Sequence, residues 1–398
     1  MIDVEAIHQW LVEGAPGTDG PGMVVGKMCD ALLEAGIPID RVGAFIRTLH
    51  PHIMGRRFLW SPGKPVQVAE ASHAILNSVE FKTSPVAYVM ETGQTFRRRL
   101  RLDPPHREQT VIGPLAAEGF TDYLAIPIKF MSGESHAITF ATLSPSGFQD
   151  EHVQTLQRVV VPLSRVAEVM ALRRVAANLL NTYVGHDAGE RILAGKIQLG
   201  DTETIHAVIW FSDLRGFTAL SGSTSADALI ATLNEVFDCQ VRAIQKYGGE
   251  VLKFIGDGLL AIFPTNKSPD RAVACARALD AAGEAFRALE GVNEKRLERG
   301  DGPVRFGLAL HIGDVAYGNI GGAGRLDFTC IGTAVNLAAR LESLTGQLKR
   351  DIVVSSAFAA HTNYPMESIG SFALKGVTNP EIVFAPATSP MFHSVTVS

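Results

Sequence analysis

The stretch 206-HAVIWFSDLRGFTAL-220 sets one acid, Asp213, at the end of an apolar run and just ahead of Arg-Gly-Phe-Thr. Residues 207–211 have the length and apolarity of a buried strand, and Gly216 permits a tight turn beyond it. A carboxylate at the mouth of such a strand is well placed for chemistry, but alone it does not hold a catalytic metal. From residue 205 onward the pattern reads strand, helix, strand, strand, helix, strand. The strand at 206–211 is followed by a helix over 225–247. Strands at 250–254 and 259–263 flank Gly-Asp-Gly, a hairpin signal. A helix over 270–289, a strand at 304–312 and a helix over 335–344 follow. This order predicts an α+β, ferredoxin-like sheet with helices on one face.

In that topology the first strand lies beside the hairpin, which makes Asp257 at the hairpin tip the candidate partner of Asp213. Two hard carboxylate ligands with open positions around them suit Mg²⁺ or Mn²⁺ bound jointly with a phosphate substrate. The plainer reading of Asp257 is a residue of an Asp-Gly turn. Asn336 and Arg340 stand four apart and project from one helix face, either as parts of a shared site or as an exposed polar pair.

The chain has 398 residues, which predicts two or three domains. Apolar residues make up 46% and charged residues 19%, as expected for ordinary packed cores. A net charge of −5 gives no reason to expect nucleic acid or an anionic membrane as partner. No apolar run is long enough for a membrane span, and MIDVEAIHQW lacks the layout of a signal peptide. Cys29, Cys239, Cys275 and Cys330 are scattered without zinc spacing, which predicts reduced thiols and a cytoplasmic location.

The first 20 residues end in GAPGTDGPG and read as a flexible arm. Residues 21–149 read as an α+β domain, with a helix over 24–35, strands at 41–49, 56–60, 95–102, 123–130 and 136–143, and a helix over 104–118. Over 150–183, Val153, Leu156, Val159, Leu163, Val166, Val169 or Met170, Leu172, Val175 and Leu179 recur at three- and four-residue steps. This predicts an amphipathic helix, with the linker running on to residue 204. Its apolar seam suits pairing with a second copy; packing on its own domain is the other reading. Pro162 would strain its middle. Arg97, Arg98, Arg99 and Arg101 form a basic run, read as an anion contact or a solvated strand edge. His50 and His52 lack a third metal ligand.

Taken together, FSDLRGFT, KFIGDG, HIGDVAYGNIG and DFTCIGTAVNLAARLE resemble the catalytic domain of class III adenylate/guanylate cyclases over residues 205–385, with 386–398 a tail. Residues 21–149 bear a weaker resemblance to GAF-like sensor domains, through SPSGFQDEHVQTL and the strand layout. LLNTYVGHDAGERILAGKIQLGD resembles the linker that precedes many cyclase domains.

The resemblance implies that Asp213 and Asp257 hold two Mg²⁺ or Mn²⁺ ions per site. It implies substrate binding by Phe211, Ser212, Leu214, Arg215, Gly216, Phe217 and Thr218, whose turn can aim backbone N–H groups at phosphates. Core packing is the other reading of Phe217. Lys375 matches a phosphate-binding lysine. Asn336 and Arg340 match the catalytic pair that orients the ribose and offsets charge developing on the α-phosphate. The base-reading positions fall on Lys253 and Thr329. Lysine only donates and a hydroxyl can accept, which suits adenine, with its N1 acceptor and N6 donor.

Two positions depart from the family pattern: Thr333 replaces a frequent Asp, and Gly307 a frequent basic residue, with Arg305 two positions earlier. The implied function is an adenylate cyclase that converts ATP to 3′,5′-cyclic AMP and diphosphate. The implied assembly is a homodimer in which the metal acids of one chain face the base-reading residues of the other. A small molecule or protein acting at the N-terminal domain would regulate it. A guanylate cyclase and an inactive, cyclase-like dimeric module are the alternatives.

Overall fold

Apolar alternation builds two separate sheets, one in each half of the chain. The protein, a computed structural model, is described over residues 3–47, 53–100, 112–265, 271–322 and 324–387. It divides into two units, Met1–Leu179 and Leu180–Ser398.

In the first unit the strands are β1 (Arg41–Arg47), β2 (Gly55–Trp60), β3 (Gln67–Ala71), β4 (Phe96–Arg99), β5 (Asp122–Lys129) and β6 (Ser135–Thr142). They form one antiparallel sheet in the order β3-β2-β1-β6-β5-β4. The helices are α1 (Val4–Val12), α2 (Pro21–Glu34), α3 (Val79–Lys82), α4 (Pro85–Thr92), α5 (Ile112–Ala117) and α6 (Asp150–Val184), the last continuing into the second unit. Val42, Trp60, Leu124, Ile126 and Phe140 pack beneath α2 and the first half of α6. The other sheet face carries Tyr123, Ala125 and Ala137 against Val86 and Val89 of α4 and Leu115 of α5.

Three expectations change here. Residues 1–20 are not simply an arm, because α1 forms with Asp3 as its N-cap and buries Ile7 and Leu11, one helical turn apart. The seam of α6 splits: Leu156, Val159, Leu163 and Val166 are buried in their own unit's core, whereas Val169, Leu172 and Leu179 stay exposed. The helix runs on through Pro162. Arg97 is not a free anion contact, since its Nη2 lies 2.8 Å from the fully buried Asp122 carboxylate. His50, His52, Arg101 and residues 104–111 lie outside the described residues, as does the tail from 388.

The second unit contains β7 (Thr202–Leu214), β8 (Glu250–Ile255), β9 (Gly258–Pro264), β10 (Phe306–Gly322), β11 (Arg325–Ile331), β12 (Ile352–Ser355), β13 (Met366–Phe372) and β14 (Glu381–Pro386). Its helices are α7 (His186–Leu193), α8 (Phe217–Ser223), α9 (Ala226–Lys246), α10 (Arg271–Glu298), α11 (Thr333–Gln347) and α12 (Ser356–Ala359). The strand order is β13-β14-β12-β10-β7-β9-β8, with β11 paired to β10. The antiparallel run β10-β7-β9-β8 is the expected ferredoxin-like core.

Helices cover both sheet faces, not one. Val208, Trp210 and Leu214 of β7 point into the core under α9 and α10. Ala207 and Ile209 point the other way, toward Ala334 and Ala338 of α11. Strand alternation therefore turns Asp213 to the α11 side.

Candidate active site

Asp213 is the penultimate residue of β7, and Asp257 lies in the turn joining β8 to β9. Ile255 pairs with Gly258, so the central turn residues are Gly256 and Asp257. Gly256 takes the left-handed conformation at φ 63°, which makes this a Gly-Asp turn and not the expected Asp-Gly one. A Cβ on Gly258 would stand 2.9 Å from the Ser212 carbonyl and 3.3 Å from Asp213 Oδ1. The missing side chain thus lets the hairpin tip close on the end of β7.

Burial, followed by the charge of the neighbouring Asp257, pushes the Asp213 carboxyl up to about 7. Two carboxylates crowded together are unfavourable without a counter-charge, so this pair fits a divalent cation. Among the described residues no group of three or more His, Cys, Asp or Glu side chains is arranged to hold a metal.

The turn residues divide by direction. Ser212 is buried and donates to Gln240 Oε1 at 2.6 Å. Phe217 packs against the core under α9 and α10. Leu214 is buried in that core and Phe211 packs on the α11 side. Gly216, at φ 68°, caps α8 and leaves Thr218 exposed in its first turn. Arg215 turns inward, and its Nη2 donates to the Arg350 carbonyl at 3.3 Å.

A second cluster forms around β8 and β11. Lys253 Nζ donates to Asp327 Oδ2 at 2.8 Å. Thr329 follows two positions along β11, is buried, and its Oγ1 has no hydrogen-bond partner. An unpaired buried hydroxyl is costly unless something else satisfies it. Asp327 escaped the sequence reading, although its two-residue spacing from Thr329 puts both on one strand face.

On α11, Asn336 is exposed and Arg340 half-buried. A Cβ on Gly376 would lie 3.3 Å from both Nη atoms of Arg340, so the loop carrying the exposed Lys375 folds beside that guanidinium. Thr333 is the first residue of α11, with Gly332 at the N-cap position. Arg305 is engaged by Asp351 at 2.7 Å.

Residues 201–385 match the family model for the adenylate and guanylate cyclase catalytic domain. An adenylate cyclase of Anabaena cylindrica is 32% identical over 216 residues, covering 50% of this chain and 41% of its own length. The terminal-differentiation-specific adenylate cyclase of Dictyostelium discoideum is 30% identical over 207 residues, covering 51% of this chain and 9% of its own. Among solved structures, the adenylyl cyclase CyaB from P. aeruginosa is 26% identical, with a TM-score of 0.42, covering 48% of this chain and 99% of that one. The chain therefore spans less than half the length of these two curated relatives.

Proposed function

We propose that the protein is an adenylate cyclase, converting ATP to 3′,5′-cyclic AMP and diphosphate, a reading supported by the match of residues 201–385 to the adenylate and guanylate cyclase catalytic domain family. The observation that carries the choice of base is the pairing of a donor, Lys253, with the unpartnered hydroxyl of Thr329. Adenine offers N1 as acceptor and N6 as donor, which matches that pair; guanine presents the reverse.

Asp213 and Asp257 would hold two Mg²⁺ or Mn²⁺ ions, which when bound lower the pKa of the ribose 3′-hydroxyl and neutralise triphosphate charge. In the reaction the ribose 3′-oxygen forms a bond to the α-phosphorus as the bond from that phosphorus to the α,β-bridging oxygen breaks; diphosphate leaves with the bridging oxygen, and the hydroxyl proton passes to solvent. Asn336 orients the ribose, and Arg340 offsets charge growing on the α-phosphate oxygens. Lys375, beside Arg340, and the first-turn N–H groups of α8 bind phosphate oxygens.

The site is shared across a homodimer in this reading. Lys253 is engaged by Asp327 and Asp257 by Asp213, so these near neighbours in sequence belong to separate clusters. Phe254, Ile255, Leu326 and Ile331 are large apolar residues left exposed on β8 and β11, as a surface awaiting a partner would be. Residues 21–149 act as a GAF-like sensor, a reading supported by the six-stranded sheet with helices on both faces.

Regulation through the linker is supported by α7. The Asp187 N–H donates to Glu250 at 3.0 Å, and the Tyr317 hydroxyl reaches Glu250 at 3.3 Å. Glu250 opens the strand that carries Lys253. Among the described residues no helix is long and apolar enough to cross a membrane. The free, buried Cys29, Cys239, Cys275 and Cys330 support our placing the protein in a reducing compartment, the cytoplasm. The test is turnover of ATP and of GTP by the purified chain with Mg²⁺ or Mn²⁺. Cyclic AMP from ATP is expected; preference for GTP, or no turnover of either, overturns the reading.

A further inference from the structure

Arg215 lies two residues beyond Asp213, and its side chain enters the protein instead of facing substrate. Its backbone N–H donates to the Arg305 carbonyl at 2.8 Å, which extends the pairing of β7 with β10. Its guanidinium covers two glycines. A Cβ on Gly307 would lie 2.6 Å from Arg215 Nη2, and one on Gly346 would lie 2.8 Å from Nη1. The same Gly307 Cβ would meet Glu342 Oε1 and Thr345 Oγ1, each at 2.5 Å. Gly307 itself pairs with Asp213 across the strands.

Glu342 is only 7% exposed, and the hydroxyl of Thr345 donates to its Oε1 at 3.2 Å. Its charge acts on both Asp213 and Asp257. A buried carboxylate beside two others requires a counter-charge, and the nearest cation that acts on Glu342 is the Arg215 guanidinium, which stands with it over Gly307 without a direct ion pair.

We propose that Arg215 is a positioning residue that ties the turn after Asp213 to Glu342 of α11 and so fixes Asp213 against Asp257. The proposal rests on the cyclase reading of that site. Removing the guanidinium leaves Glu342 as an uncompensated buried charge beside the metal acids. Removing only the Glu342 charge frees the guanidinium to pair with Asp213 and to compete with a cation there. Removing both charges relieves both faults.

The test measures Mn²⁺ binding to the full chain by electron paramagnetic resonance, with 3′-deoxy-ATP, which lacks the attacking hydroxyl. Arg215→Met and Glu342→Gln should each raise the Mn²⁺ half-saturation about tenfold, the range for residues that support metal ligands. The double variant should recover most of that loss. Unchanged half-saturation in Arg215→Met, even with lowered thermal stability, overturns the proposal, as does a double variant no better than its worse parent. If Arg215→Met does not fold, Glu342→Gln decides by the same measure. A wild-type chain that binds no Mn²⁺ with 3′-deoxy-ATP overturns the cyclase reading and this inference with it.

Discussion

Lys253 holds its ammonium 2.8 Å from the carboxylate of Asp327, two positions before Thr329 on β11. The ion pair restricts a flexible side chain to the strand face that bears the unpartnered Thr329 hydroxyl. Replacing Lys253 with Glu and Thr329 with Cys should lower the ATP-over-GTP ratio of kcat/KM by about a hundredfold, since a mismatched base leaves buried polar groups unpaired. Asp327→Ala should raise KM for ATP with a smaller change in kcat. Steady-state kinetics with both nucleotides check these outcomes, and an unaltered ratio in the double variant removes the assigned roles.

Asp213 and Asp257 yield a pH prediction. Burial and then Asp257 push the Asp213 carboxyl from 3.8 up to about 7. A carboxyl with a raised pKa holds its proton more tightly folded than unfolded. In metal-free protein its contribution is therefore fully present at low pH and is lost as pH rises through about 7. Thermal melts in chelator should show this decline, and Asp257→Asn should flatten it. Either acid changed to Ala should abolish turnover without unfolding the chain.

Helix α6 separates two kinds of apolar residue. Leu163→Ala should destabilise the first unit by about 2–5 kcal/mol, because Leu163 is in its core. Leu172→Glu with Leu179→Glu touches exposed positions, so the melting temperature should hold while the dimer weakens in sedimentation. A two-residue insertion at Ala171 rotates the following helix by about 200° and should change the basal rate. An unchanged rate in a chain that remains dimeric would make the linker passive.

The core of the second unit was legible because β7, β8 and β9 are apolar runs set off by Gly turns, and α9 has a regular helical period. The ferredoxin-like order, which lays the first strand beside the hairpin, also carried Asp213 and Asp257 together. Other features depended on distant neighbours. β3 is a short strand with four of its five residues exposed, so it lacks the apolar alternation of a core strand. α1 was hidden by the Gly- and Pro-rich stretch after it. Burial of half the α6 seam depended on a sheet distant in sequence. The inward course of Arg215 becomes visible only once Gly307 and Gly346 are seen beneath it.

The shared site has its own test. In the proposed site, Asp257→Ala would damage the metal half, and Asn336→Ala the half that orients the ribose. If one chain supplied both halves, mixing the two inactive variants would leave every site broken. If opposite chains supply them, a mixed dimer has one site with both lesions and one with neither. Random pairing of equal amounts makes about half the dimers mixed, each with one of two sites intact, so about a quarter of wild-type activity should return under two-fold symmetry. Co-expression with two different affinity tags secures the mixed dimer and allows its purification. A purified mixed dimer no more active than its parents would refute the sharing and strip Lys253, Thr329, Asn336 and Arg340 of their proposed place opposite the partner's metal acids.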